Sequence, residues 1–590
     1  MKRTLQKLLS CLLVLLLALS LAACAPAETP APDSGAADGG TTDDGGAEAP
    51  AADSSSAELY QVEMFNTYAN YMGVQPGWYG KLIKDKFNIE LNIIAPNVAG
   101  TGDALYQTRT AAGNLGDIIV QTQARMVDCH KAGLLLDISP YLEDAPNLQK
   151  LDAGIQNLAK LIGDEGIYAI PGRVSTSAAT EPAGRGVNPE AASFIRWDWY
   201  YEAGAPEIQN MDHLLEVLAQ ICEAHPTNEN GDKVYAFSLF KDWDGDSVRA
   251  AREMMYLYGY GPAQGYYWMK NDGSEVVNIL DDGSMYYDML KLYNTAYTMG
   301  ILDPDSSTQN WDMFQSKAKD GRVLFVWWPW VTTTIHDRFD METGMPMAYV
   351  PIADSVVNNP GYSPYGMEGL AFAIGSGAKY PERLIEFLDW YASPEGVMYN
   401  NGQVEGVTYE MVDGRPVLTE FALDPDPNKE APADLGGGNW SEGSCQINYP
   451  LVHQDDVNSV IGEPTNSNLW TSTIENNANE YNQQWAELYG TNSPLDYLET
   501  NNMIEVAPGT DYTTPSEPSD ITTMRAQLRE IVTAAGWQMI YAADEAEFDA
   551  LWTEMKAQLP DFGYNEVLAY DMEIVNDMIE ARQRVLGGAE

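Results

Sequence analysis

Strand-like and helix-like patterns alternate from residue 60 onward, and that alternation restricts the chain more than any single motif. YQVEMFNTYANYMG (60–73) opens as an alternating strand and runs into polar aromatics. WYGKLIKDKFNIELNIIAP (78–96) reads as a helix leading into a strand over 89–94. DALYQTRTAAGNLGDIIVQTQ (103–123) repeats the scheme: a helix, a glycine-containing break, then a strand over 117–120. GIYAIPGRV (166–174) is a further short strand, and 234–239 another. Amphipathic helices follow over 209–225, after Pro206, and over 284–299, closed by Gly300 and Pro304. GRVLFVWWPW (321–330) is a strand rich in indoles, and 380–402 a helix with Pro381 in its first turn. After residue 400 the chain is loop-rich, and two acidic helices close it, over 545–559 and 564–585. Such alternation predicts an α/β fold with a mostly parallel sheet. No internal repeat is visible.

A chain of 590 residues exceeds the size at which a single core stops growing, so two lobes or more are expected. Hydrophobic residues make up 45% and aromatics 11%, which suits a folded body. The formal charge of −53 repels nucleic acid and anionic lipid, so a nucleic-acid partner is not expected.

The N-terminus differs from the rest. Lys2, Arg3 and Lys7 precede an uncharged apolar run over 8–23, the layout of a secretory signal. That run is short of the about 20 residues that span a membrane. It ends in Leu21-Ala22-Ala23-Cys24, which resembles a bacterial lipobox. The resemblance implies cleavage before Cys24 and acylation of its thiol and of the new amine, hence a membrane held through lipid. Residues 25–57 lack Lys, Arg, Val, Ile, Leu and aromatics but carry seven acids, among them Glu28, Asp33 and Asp53. Such a segment cannot bury enough apolar surface to order itself. It reads as a disordered acidic tether reaching roughly 30 Å. The expected division is a signal peptide over 1–23, lipidated Cys24 and tether over 24–57, one lobe from 59–172 plus 369–400, and a second from 173–368 plus 401–590.

Of five cysteines, Cys11 leaves with the signal and Cys24 takes lipid. Cys129, Cys222 and Cys445 are too few and too far apart for a disulfide scaffold and are read as buried free thiols, with one bridge left open.

The body resembles the extracellular solute-binding proteins of ABC importers, in their large sugar-binding branch. The pieces that carry the likeness occur in the family's order: AAGNLGDIIVQTQARMVDCHKAGLLLDIS (111–139), GDEGIYAIPGRV (163–174), FIRWDWYYEAGA (194–205), AKDGRVLFVWWPW (318–330), ASPEGVMYNNGQVEGVTYE (392–410) and FDALWTEMKAQL (548–559). The resemblance implies a two-lobed periplasmic-binding-protein-like fold, with hinge strands and a central cleft in which a carbohydrate binds. It also implies delivery to a permease pair, a monomer, no cofactor and a lipid-anchored place on the extracytoplasmic face.

Sugars combine apolar C–H faces with a rim of hydroxyls, so their sites need aromatic platforms with donors and acceptors alongside. Ligands of open α/β sheets bind beyond the carboxyl ends of strands. That places Asn66, Tyr68 and Asn70 after the first strand, Gln121 and Gln123 after the 117–120 strand, and Asp242 and Trp243 after 234–239. Trp327 and Trp330 stand at the exit of the indole strand, Arg173 at the first hinge, and Tyr365 and Glu368 before a later hinge strand. By the resemblance, Trp330 matches the family's sugar-stacking Trp and Trp243 lies in the matching loop of the second lobe.

Enzyme signatures are lacking: no GxSxG, HExxH, CxxC or Walker loop occurs, and Ser316-Lys317-Ala318-Lys319 has no KTG after it. The five histidines show no metal spacing. Asn228, Asn230 and Asp232 have calcium-loop spacing but lack the later acids, so a turn is expected there. The chain is read as a binder. A lipid-anchored glycoside hydrolase and a peptide-binding protein are the alternatives.

Overall fold

A computed structural model describes residues 58–587, except 97, 99–101, 184–187, 336–346, 368, 425, 427 and 477–479. The signal, Cys24, the tether and Glu368 therefore lie outside the described residues.

Residues 60–171 together with 370–374 build a six-stranded sheet in the order Gly73–Val74, Ile89–Ile94, Tyr60–Asn66, Ile118–Thr122, Leu370–Ile374, Ile170–Pro171. Tyr60–Asn66 is parallel to both neighbours, pairing Tyr60 with Ile89 and Met64 with Ile118. Leu370–Ile374 returns from far down the chain and runs antiparallel, with Phe372 opposite Val120. Ile170–Pro171 and Gly73–Val74 pair antiparallel as well, so the sheet is mixed rather than mostly parallel as the alternation predicts. Successive side chains point to opposite faces. Val62, Met64, Leu91, Val120 and Phe372 thus enter one apolar core, while Phe65, Ile119, Ala371 and Ala373 enter another on the opposite face. The alternation expected over 60–66 is present, and the 117–120 strand runs instead from Ile118 to Thr122.

A larger core gathers Ala192 to Val357 and Trp485 to Val567. Phe194–Arg196 lies between Phe325–Val326 and Met347–Tyr349, antiparallel to both. Helices Met211–Ala224, Met285–Thr298, Ser519–Ile540 and Glu545–Gln558 pack around them. Met211–Ala224 and Met285–Thr298 are capped by the side chains of Asn210 and Ser284, which accept from His213 N and Tyr287 N. The segment 234–239 gives isolated bridges rather than a regular strand: Tyr235 N donates to Arg322 O and Ala236 N to Ile301 O.

Two further expectations are corrected. The indole stretch is a strand only at Phe325–Val326, because Pro329 starts the helix Pro329–Ile335. Proline suits a first helical position, where its missing N–H costs no hydrogen bond. Second, the part of 401–590 up to Leu451 packs with the sheet core, not with the larger one: Val404, Ala431, Trp440, Ile447 and Leu451 are buried there. Trp440 stacks on Trp78 at 4.6 Å, and Trp78 Nε1 donates to Trp440 O at 3.0 Å. Gly77 permits this contact, since its φ is +60° and a Cβ would come within 2.2 Å of Gly443 Cα.

The chain passes between the two regions over 174–192, 357–370 and 451–485. These crossings lie together: Ser175 N donates to Ser363 O, and Val174 bridges Val452 in parallel.

Candidate functional site

The predicted residues fall into two groups. One lines the end of the six-stranded sheet where the crossings begin. Asn66 closes its strand fully buried; Nδ2 donates to Ile447 O at 2.8 Å and Oδ1 accepts from Tyr68 N at 2.9 Å. Tyr68 is half-buried with its ring edge-on to Tyr449, 5.8 Å between centroids, whereas Asn70 is exposed. Gln121 is buried and Nε2 donates to Thr67 Oγ1. Gln123 begins the helix Gln123–Lys131; its amide donates to Tyr365 O at 3.2 Å and accepts from Thr513 at 2.8 Å. Arg173 takes a positive φ of 53°, lies 5.5 Å from the Tyr449 ring, and donates from Nη2 to His453 Nε2 at 2.9 Å. His453 in turn packs edge-on to Tyr362, whose hydroxyl donates to Asp455 at 3.2 Å.

The second group is an aromatic cluster. Trp243 and Trp330 are 6.1 Å apart, and Trp311 completes a triangle with them, 4.9 Å from Trp243 and 5.3 Å from Trp330. Trp328 stacks under Trp330 at 5.4 Å, and Phe240 meets Trp243, Trp311 and Phe314. Exposure divides the set: Trp243, Trp311 and Trp330 are half-buried, while Trp327 and Trp328 are buried beneath. Trp327 is thereby held in the floor, its Nε1 donating to Glu253 at 2.8 Å. Asp242 is exposed and accepts from Trp311 N at 2.9 Å, so it fixes the start of the helix Trp311–Lys319.

Trp311 and Arg249 escaped the sequence reading. Asn310 caps the Trp311 helix, its Oδ1 accepting from Met313 N at 3.0 Å; this Asn-Trp junction was the available signal. Arg249 lies over Trp243 at 5.7 Å and Trp328 at 5.1 Å, and donates from Nε to Glu253 at 2.7 Å. Its signal was the i, i+4 spacing to Glu253. Beside them Asp244 is buried, accepting from Arg249 N at 3.0 Å and Trp537 Nε1 at 2.7 Å; burial lifts its carboxyl to about 6.

Three half-exposed indoles with a guanidinium at their edge offer flat, polarisable surface plus N–H donors, the combination that holds a sugar ring.

Asn228 forms the expected turn, its Oδ1 accepting from Asn230 N and Asp232 N. Among the described residues no group of His, Cys, Asp and Glu could hold a metal ion. Cys129, Cys222 and Cys445 are free, the first two buried as expected and Cys445 only partly so. Burial pushes Cys222 up to about 12 and Cys445 up to about 11, which keeps both thiols protonated and unreactive. No described helix is long and apolar enough to cross a membrane.

No family model matches the chain. Lipoprotein LipO of Bacillus subtilis is 23% identical over 315 residues, a match covering 50% of this chain and 57% of that relative's length. Among solved structures, a Streptococcus pneumoniae ABC-transporter substrate-binding protein, FusA, in complex with fructo-nystose, has a TM-score of 0.60 at 15% identity, covering 88% of this chain and 99% of its own. Alginate-binding protein AlgQ2 has a TM-score of 0.58 at 15% identity, covering 89% and 98%. An HMO-binding solute-binding protein of Bifidobacterium longum infantis has a TM-score of 0.57 at 15% identity, covering 88% and 99%. The chain has the two-lobed α/β fold of these binding proteins.

Proposed function

We propose that this chain is a lipid-anchored, extracytoplasmic binding protein that captures an oligosaccharide between its lobes and passes it to an ABC importer. The observation that carries the reading is the cluster of Trp243, Trp311 and Trp330, each half-exposed and in mutual ring contact, with buried Trp328 against Trp243 and Trp330. The fold supports it, since similar structures are named as an alginate-binding protein, an HMO-binding solute-binding protein and an ABC-transporter substrate-binding protein in complex with fructo-nystose. The lipoprotein relative and the Leu21–Cys24 motif support the anchor.

In this reading Asn66, Tyr68, Gln121, Gln123, Arg173 and Tyr365 form the opposite wall of the cleft. The crossings over 174–192, 357–370 and 451–485 are the hinge. Closure presses the sugar between the walls and excludes water, which strengthens its hydrogen bonds. Binding without turnover is the expected chemistry. The test is to incubate the full chain, purified in detergent, with an oligosaccharide panel and to recover each ligand. Capture with the ligand returned intact supports a binder, and cleaved product supports a hydrolase.

A further inference from the structure

The indole cluster carries one polar side chain whose hydrogen-bonding capacity is only partly used. Arg249 is half-buried, 33% exposed in its side chain, and lies over the rings of Trp243 and Trp328. Its Nε is committed to Glu253 at 2.7 Å. Its Nη1 and Nη2 have no partner among the described residues. Glu253 is itself buried and accepts from Trp327 with its other oxygen at 2.8 Å, so it cannot turn away. The guanidinium is therefore clamped through Nε while it lies over half-exposed Trp243 and buried Trp328, and its Nη edge makes no hydrogen bond to a described residue.

That free edge holds parallel N–H donors, which fit a carboxylate or two neighbouring hydroxyls. Charge decides between them. The single positive charge of Arg249 is already matched by Glu253. Asp244 accepts from Arg249 N at 3.0 Å, and Asp242 lies exposed on the same loop. Arg252 points away, its Nη1 donating to Ser247 O at 2.8 Å, and the other cation of that loop, exposed Lys241, stands beside Asp242 in sequence and acts on Asp244. A ligand carboxylate would make a second anion share one cation in a partly desolvated place, inside a chain of formal charge −53. A pair of hydroxyls carries no such cost.

We propose that Arg249 is the polar arm of the indole platform and that the site selects a neutral saccharide with two adjacent hydroxyls over its uronic-acid counterpart. This rests on the oligosaccharide reading above.

The test titrates the full chain calorimetrically with neutral oligosaccharides of glucose, galactose, mannose and fructose, and with oligouronates of glucose, galactose and mannose. The expected result is that a neutral member binds and the oligouronates bind at least about tenfold more weakly. Arg249→Lys keeps a cation beside Glu253 but loses the paired edge. It should weaken the neutral ligand about tenfold or more while far-UV circular dichroism at the titration temperature stays that of the wild type. Tighter binding of an oligouronate overturns the selection and leaves the oligosaccharide reading standing. Unchanged affinity in Arg249→Lys overturns the role of Arg249. Failure of every member to bind overturns the oligosaccharide reading and this inference with it.

Discussion

Trp243 and Trp330 come from separate stretches of the chain yet lie 6.1 Å apart, with Trp311 in ring contact with both. Each arrives by a different local device. Trp243 sits on the loop after 234–239, Trp311 in the first turn of a helix capped by Asn310, and Trp330 in the first turn of a helix begun by Pro329. Their convergence makes a platform that no one segment could supply.

Removing one half-exposed ring should cost binding and spare the fold. Trp330→Ala and Trp311→Ala are each expected to weaken oligosaccharide binding by about 2–4 kcal/mol, as for a desolvated aromatic anchor. Calorimetry alongside far-UV circular dichroism checks both halves. Trp327→Ala should behave oppositely, because it leaves buried Glu253 without its indole donor and costs stability first.

Asp244 should leave a signature in the pH dependence of stability. Its carboxyl is lifted to about 6 in the folded chain, mainly by burial, so the folded state holds a proton that the unfolded chain releases near pH ~4. Above pH ~6 the buried charge costs roughly 3 kcal/mol, and that cost disappears as pH falls through 6 toward 4. Urea unfolding of the wild type and of Asp244→Asn at pH 5 and pH 7.5 checks the sign. The wild type should lose stability relative to the variant as pH rises.

Arg525 and Asp571 form a buried pair that ties Ser519–Ile540 to Tyr564–Gly587, with Nη1 to Oδ2 at 3.1 Å and Nε to Glu517 at 2.7 Å. Asp571→Ala would leave a guanidinium without its main partner and should cost about 3–5 kcal/mol. Gly265→Ala should also be costly, since a Cβ there would lie 2.2 Å from Asp571 Oδ2 at a backbone φ of +56°. Denaturant midpoints report both.

Trp440 tests where the loop-rich stretch belongs. If it completes the sheet core, Trp440→Ala removes the stack on Trp78 and should destabilise by about 3–5 kcal/mol. A change within about 0.5 kcal/mol, as at an ordinary surface site, would contradict that placement.

Much of the sheet was legible because period-two alternation at Tyr60–Asn66 and Ile89–Ile94 sends Tyr60, Val62, Met64, Ile89, Leu91 and Ile93 into one core while Gln61, Glu63, Glu90 and Asn92 point to the other face. The helix Ser519–Ile540 was not read, and Arg525 shows why. Its buried stripe runs Ile521, Arg525, Leu528, Val532, and the arginine breaks the apolar period. It is tolerated only because Asp571 and Glu517 meet it from elsewhere in the chain, a fact no local window contains. The 404–451 stretch was misplaced for a related reason: Trp440 finds its partner in Trp78, far back in the sequence. At the site, Trp243 and Trp330 were marked as candidates from strand ends and resemblance. Trp311 and Arg249 were not, because their importance comes from neighbours brought by folding rather than from position along a strand.

The most direct measurement is titration of the full chain with the oligosaccharide panel, following tryptophan fluorescence and heat together, with the ligand recovered afterwards. The account predicts saturable binding of an oligosaccharide with quenched indole emission, loss of both signals in Trp243→Ala and Trp330→Ala, and an intact ligand. Saturable binding that leaves emission unchanged and survives both substitutions would place the ligand away from the indoles and contradict it.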